Sequence, residues 1–200
     1  MAIYELTLPL QDADVEKLAV GDAVYLYGTL CTARDMAHLQ MRERVESGKQ
    51  LPEQMKGGAI FHAGPVMIKD AENNWQLHVI GPTTSIRMEP HAEFVGSLGV
   101  KLIIGKGGMS SDSLQAFRQY KQAYLQAAPG CAVVLATGIK KVKAVHWLEN
   151  GMPEAMWVLE AQRFGPFIVT MDCHGNSRYD LVKKQAREIA EKVMAEKNSG

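Results

Sequence analysis

Five residues have the types and spacing to act on a small anion: Arg34, Thr83, Thr84, Arg87 and Lys106. They fall in three stretches that each run from a strand-like segment into a helix start. In VIGPTTSIRMEPH (79–91), Pro82 stops the strand, and the hydroxyls of Thr83, Thr84 and Ser85 are N-cap material. A helix N-terminus attracts anions, and Arg87 in its first turn adds a charge and a bidentate fork. AVYLYGTLCTARD (23–35) repeats the pattern, with Arg34 at the turn and with Thr32 and Asp35 at capping-box spacing. VKLIIGKGGMSSD (100–112) ends a buried-looking strand in a glycine-rich turn carrying Lys106. Such turns gather beyond the carboxyl ends of strands in α/β folds, where ligands bind. Arg34, Arg87 and Lys106 are therefore expected to converge on one polyanionic small molecule. The plainer alternative at each turn is a helix cap with a solvated cation.

The surrounding elements must bring these turns together. Strands are expected at 3–9, at 23–29, at 59–63 with a break at Gly64–Pro65, and at 100–104. Segments 66–69 and 75–80 flank DAENN and read as a hairpin. The apolar run CAVVLA (131–136) reads as a strand covered on both faces, and VKAVHWL, AMWVLEA and PFIVTMD as three more strands. Helices are expected at 33–47, at 85–98 with a late start or kink at Pro90, along the stripe Leu114, Phe117, Tyr120 and Tyr124, and at 178–196. The tail 196–200 reads as frayed. With no repeat or linker in between, residues 1–200 read as one α/β domain.

Composition excludes several classes. Lys+Arg and Asp+Glu both number 22, so the net charge is zero and the basic surplus of a nucleic-acid-binding domain is missing. No apolar run approaches the ~20 residues that span a bilayer, and MAIYELTLPL lacks the basic start of a signal peptide. Cys31, Cys131 and Cys173 are three, far apart and without a CxxC pair, which argues against a disulfide framework or zinc site and for a reducing cytoplasm. Iron–sulfur clusters use cysteine thiolates, yet no two of these share a local turn. GKGG is not a P-loop, since neither the GxxxxGK spacing nor a following Ser/Thr is present. Cys173 and His174 read as strand neighbours pointing to opposite faces, and Gly175–Asn176 as the turn into the last helix. His62 and His174 read as structural, and His38, His78, His91 and His146 have no context that singles them out.

The words GTLCTARDMAH, FHAGP, GPTTSIRM, KLIIGKGGM and GPFIVTMDCHGN, in that order, resemble the β subunit of class I (iron–sulfur) fumarases and L-tartrate dehydratases. In one-chain members the same region is the C-terminal domain. The resemblance covers nearly the whole chain, from Ile3 to the last helix. It implies a single layered β/β/α swivelling-type domain with a mixed sheet. It implies a hydro-lyase that removes water from a 2-hydroxy dicarboxylate, fumarate hydratase on the ARDMAH form and L-tartrate dehydratase as the alternative. In the family the arginines of the TARD and TTSxRM words and the lysine of GKGG bind substrate, which here are Arg34, Arg87 and Lys106. The first threonine of the pair relays the proton at the substrate carbon, here Thr83, with Thr84 left to ligand binding or capping. The resemblance also implies a 4Fe–4S cluster held by three cysteines of a separate α subunit, not by this chain, and so a hetero-oligomer. A non-catalytic small-anion-binding module would use the same three turns.

Overall fold

The computed structural model describes the backbone of residues 1–198 and the side chains of 1–194. Strand β1 (Ile3–Thr7) leads through the short helix α1 (Asp12–Val15) to β2 (Ala23–Thr32) and helix α2 (Asp35–Glu46). Strand β3 (Ala59–Phe61) is followed by the hairpin strands β4 (Ala63–Lys69) and β5 (Trp75–Pro82). A 3₁₀ stretch (Ser85–His91) passes into α3 (Ala92–Ser97), then β6 (Leu102–Gly105), α4 (Ser111–Tyr120), β7 (Ala123–Gln126) and α5 (Ala132–Ala136). Strands β8 (Ile139–His146) and β9 (Met156–Met171) precede the last helix, α6 (Arg178–Asn198). Part of the tail expected to fray, residues 199–200, lies outside the described residues. No described helix is long and apolar enough to cross a membrane.

The sheet is mixed, as an α/β domain of this kind requires. Strands β1, β2, β3, β6 and β7 are parallel neighbours in that order. Strand β9 runs antiparallel to β7, to β8 and to β2, so β2-β3-β6-β7-β9 closes into a ring. Period-2 alternation then sorts the core into two. Leu26, Phe61, Leu102, Ile104, Leu125, Trp157 and Leu159 fill the ring's interior. Their strand neighbours Ile60, Ile103, Tyr124 and Val158 face outward, onto Ala37, Met41, Val95 and Phe117 of α2, α3 and α4. Inside, Phe61, Phe164 and Phe167 meet edge to face with ring centroids 4.9–6.2 Å apart. Each such buried ring contributes on the order of 1.5–3 kcal/mol.

Several sequence expectations are corrected. CAVVLA is not a strand: residues 132–136 form α5, in which Leu135 is buried while Val133 and Val134 are 67% and 64% exposed. A short apolar run cannot by itself distinguish a covered strand from one helical turn. Here the run lies between the Gly130 turn (φ +86°) and Gly138, and Ala132 packs over Gly81 of β5. Tyr124 belongs to β7, not to the α4 stripe, because Lys121 adopts a left-handed conformation (φ 53°) that ends the helix. Gly64–Pro65 does not break a strand. Pro65 lies within β4 opposite Ile80, tolerated because β4 pairs on one side with β5 and needs no N–H on the other. AMWVLEA and PFIVTMD are one strand, β9, bent where Arg163 and Gly165 take positive φ. The 85–98 segment does start α-helix late: it is 3₁₀ through Pro90 and His91 and turns α at Ala92.

Candidate functional site

The three turns meet at the carboxyl ends of β2, β3 and β6. Register aligns Thr32 with Phe61 and Phe61 with Ile104, so the residues just beyond these strands become neighbours. Ala33 N donates to Phe61 O (3.0 Å) and His62 N to Ile104 O (2.7 Å). The stretch after β5 is stitched on next. Thr83 N donates to His62 O (2.7 Å), Lys106 N to Thr83 O (3.1 Å) and Ser85 N to Lys106 O (3.0 Å). Arg87 reaches across to the first turn, where its Nε and Nη2 donate to the two oxygens of Asp35. The structure thus brings together the turns that carry Arg34, Thr83, Thr84, Arg87 and Lys106. Thr83 is half-buried and Thr84 exposed. Among the described residues, neither the Thr83 hydroxyl nor the Lys106 ammonium has a partner. A cavity of about 360 Å³ opens elsewhere, between the Leu8–Pro9 turn, Gly28–Cys31 and Glu53–Lys56, and shares none of these five residues.

The local chemistry differs from the sequence reading in four ways. Thr32 is not a cap: it is fully buried on β2, where its hydroxyl accepts from Trp157 N (3.0 Å) and donates to Ala155 O (3.4 Å). Arg34 takes the N-cap position of α2. The hydroxyls of Thr83, Thr84 and Ser85 do not cap the following helix, and its first seven residues are 3₁₀, so attraction for an anion rests on the cations rather than on a long helix dipole. The glycines of GKGG mostly accommodate the protein itself. A Cβ on Gly105 would overlap Ser85 Oγ, and one on Gly108 the Tyr179 ring, while one on Gly107 (φ +81°) would only touch the Thr84 methyl at 4.0 Å. Cys173 and His174 sit on a turn, not a strand, with Sγ and Nε2 3.9 Å apart. His174 Nε2 is 3.0 Å from Glu16 O, a carbonyl that can only accept, so this nitrogen carries the proton and is no base toward the thiol. Asn176 does form the turn into α6, on the Asp172 carboxylate.

Sequence reasoning missed a histidine cluster beneath the face. His38 stacks on His91 (centroids 5.2 Å) and meets His62 edge-on (5.3 Å). His38 Nδ1 lies 2.8 Å from Arg34 O, so Nδ1 holds the proton. His62 Nδ1 is 2.9 Å from Ser85 Oγ, which also accepts from Tyr124 OH (2.8 Å). This buried chain anchors the backbone on both sides of Thr83. The sequence words carry its members singly, His38 in GTLCTARDMAH, His62 in FHAGP, Ser85 and His91 in 79–91, and none of them announces that the rings meet.

Burial pushes the His38 pKa down to about 4 and that of His62 well below the usual histidine value, and it lowers that of His91 as well. A folded-state pKa below the unfolded value means that the unfolded chain binds protons first. The stability contributed by the neutral rings is complete above about pH 6.5 and is lost as the pH falls toward 4. For His38 alone the loss is about 3 kcal/mol. Urea midpoints measured at intervals from pH 7.5 to 4.5 should fall steadily below pH 6.5. A flat profile over that range would mean that the rings titrate as if solvated.

The Fumarase C-terminus family model matches residues 3–182. The chain belongs to this family. Within it, the chain is 47% identical over 181 residues to the "Putative L(+)-tartrate dehydratase subunit beta" of Methanocaldococcus jannaschii, covering 90% of this chain and 92% of the relative. It is 41% identical over 192 residues to the "L(+)-tartrate dehydratase subunit beta" of Escherichia coli K12, with 96% and 94% covered. It is 38% identical over 187 residues to the "Putative fumarate hydratase class I" of Geobacillus stearothermophilus, 93% of this chain but 35% of that longer protein. In this member of the fumarase C-terminus family three of the ordered words are adjacent: TARD and TTSIRM are joined by the Arg87–Asp35 fork, and TTSIRM and GKGG by the Thr84–Lys106 bridge.

Proposed function

We propose that the chain is the β subunit of a hydro-lyase that dehydrates a 2-hydroxy dicarboxylate, (S)-malate to fumarate or a tartrate to oxaloacetate. One observation carries this reading: a threonine hydroxyl that has no partner among the described residues lies where three turns, each carrying a cation, come together. A dicarboxylate needs two charge-assisted clamps, and Arg34 and Arg87 supply forks while Lys106 adds a point charge. Elimination also requires removal of a proton from the carbon next to the departing hydroxyl. Thr83 is the group for it: its backbone is held by His62 O and Lys106 N, and its hydroxyl has no partner among the described residues. As an alkoxide, favoured by the nearby cations, Thr83 Oγ1 accepts that proton and passes it on. Thr84 lies beside it, exposed, as a further contact for the ligand.

The cysteines of this chain do not suit a cluster. Cys31 lies on β2, Cys131 just before α5 and Cys173 in the turn before α6, so the three are not gathered in one place. No described group of three or more His, Cys, Asp or Glu residues is placed to hold a metal ion. In this reading the 4Fe–4S cluster belongs to a partner α subunit, where it would act as Lewis acid on the leaving hydroxyl. The relatives' names support a two-subunit enzyme: two are called subunit beta, and the third carries the region within a longer chain. The three free thiols fit a reducing cytoplasm.

The test is to purify this chain with its α subunit and assay (S)-malate and each tartrate isomer. The complex should turn over at least one of them, and the isolated chain none. The favoured substrate decides between fumarase and tartrate dehydratase. Binding of these dicarboxylates without turnover by a cluster-replete complex would return the chain to the non-catalytic anion-binding class.

A further inference from the structure

Both arginines of the face are already held by carboxylates of this chain. Asp35 takes the Nε/Nη2 edge of Arg87 with both of its oxygens. Burial disfavours the Asp35 charge, but the hydrogen bond and charge of Arg87 outweigh it and keep the carboxyl below its usual range. Glu154 lies against the other arginine: its Oε1 is 3.0 Å from Arg34 Nε, a buried nitrogen that is close to the carboxylate but not aligned for a hydrogen bond. The second oxygen of Glu154 accepts from Met36 N (3.1 Å), which fixes the carboxylate on the first turn of α2. Gly64 closes the other side, since a Cβ there would lie 2.6 Å from Arg34 Nη1.

A guanidinium presents five N–H groups in a rigid plane, enough for two carboxylates on two different edges. Asp35 occupies one edge of Arg87, and Glu154 sits at the Nε of Arg34. Among the described residues, Arg87 Nη1 and both terminal nitrogens of Arg34 have no hydrogen-bond partner. We infer that Asp35 and Glu154 are positioning residues, which grip the two arginines by their inner edges and leave the outer edges to the two carboxylates of the substrate. The inference rests on the dicarboxylate reading above. It assigns work to the aspartate that follows Arg34 and to Glu154 in the loop before β9, 119 positions away in the chain.

The grip should be visible without substrate. In the isolated ¹⁵N-labelled chain, the Nε–H signals of Arg34 and Arg87, assigned by their loss in Arg34→Lys and Arg87→Lys, should be protected from exchange. Asp35→Asn should abolish protection at Arg87. The Arg34 Nε–H is protected by burial beside the Glu154 carboxylate, so Glu154→Gln, whose amide oxygen still accepts from Met36 N, should shift its signal, and an unmoved signal overturns the inference for Arg34. Rapid exchange of either signal in the wild-type chain overturns the inference for that arginine, whatever the enzyme does.

In the α–β complex, Asp35→Asn should raise KM for the dicarboxylate about tenfold with little change in kcat, the size of one weakened charged hydrogen bond. Asp35→Glu, which keeps a carboxylate, should recover part of that loss. In an Arg87→Lys background the same change should add less than about twofold, because its effect passes through the lost fork. Full additivity would make Asp35 a helix residue only, and a lowered KM would make it a competitor of the substrate. Either result overturns the inference. A wild-type complex that turns over neither malate nor any tartrate defeats the proposed function instead, and the exchange measurement still decides whether the carboxylates hold the arginines.

Discussion

Thr83→Val in the assembled α–β complex should lower kcat by about 10²–10⁴, the range for loss of a positioned proton-transfer group. Valine keeps the volume and branching of threonine and removes only the hydroxyl. The backbone bonds that hold position 83, Thr83 N to His62 O and Lys106 N to Thr83 O, do not involve the side chain and should survive. The clamps are untouched, so KM should move little. A loss confined to kcat is the signature of a group that works mainly in the transition state. Steady-state kinetics at equal cluster content checks it. Near-normal turnover would send the search for the base to the partner subunit. The threonine side chain makes no hydrogen bond within the described chain, so a merely structural role predicts almost no effect.

Arg87→Lys should lower kcat/KM by roughly one to two orders of magnitude, mainly through KM, as expected for losing about 1.5–3 kcal/mol of charged hydrogen bonding. Lysine keeps the charge but is a point donor and cannot serve Asp35 and a substrate carboxylate in one plane. Stability should hardly change. Arg87 and Asp35 are each about two-fifths exposed, and ion pairs at such exposure are worth about 1 kcal/mol or less. A thermal midpoint close to wild type together with a raised KM separates a binding role from a folding role. An unchanged KM would remove Arg87 from the ligand face.

Much of the architecture was legible because its causes are local. Alternating or continuous apolar runs bounded by glycine and proline marked β2, β3, β6 and the β4–β5 hairpin. A 3.6-residue stripe marked α2, most of α4 and α6. The failures share a cause as well. CAVVLA has no period that separates a covered strand from one turn of helix, and the outcome depended on Gly81 offering a seat for Ala132. The α4 stripe extended to Tyr124 by spacing alone, because a left-handed Lys121 is not announced by its residue type. The capping-box reading of Thr32 failed because β2 runs three residues further than its pattern suggests, carrying Thr32 into the sheet against Ala155 and Trp157.

By itself the sequence determined which turns carry the cations and hydroxyls. A strand that stops at glycine or proline and is followed by Thr, Arg or Lys is a local pattern, and three such words, in order with FHAGP and GPFIVTMDCHGN, carry the resemblance to the family. It could not determine what stands behind those residues. The rings of His38, His62 and His91, the Ser85–Tyr124 pair, and the carboxylates at Arg34 and Arg87 join positions from more than twenty to more than a hundred residues apart. They meet because the sheet places β2, β3 and β6 side by side and the end of β5 is bonded onto His62 just past β3, although these segments are far apart in the chain. Strand order is set by burial of both faces of the ring at once, inward onto Phe61 and Trp157 and outward onto α2, α3 and α4. No local window of sequence contains that balance, so the reactive face was readable residue by residue while its supports were decided only by the fold.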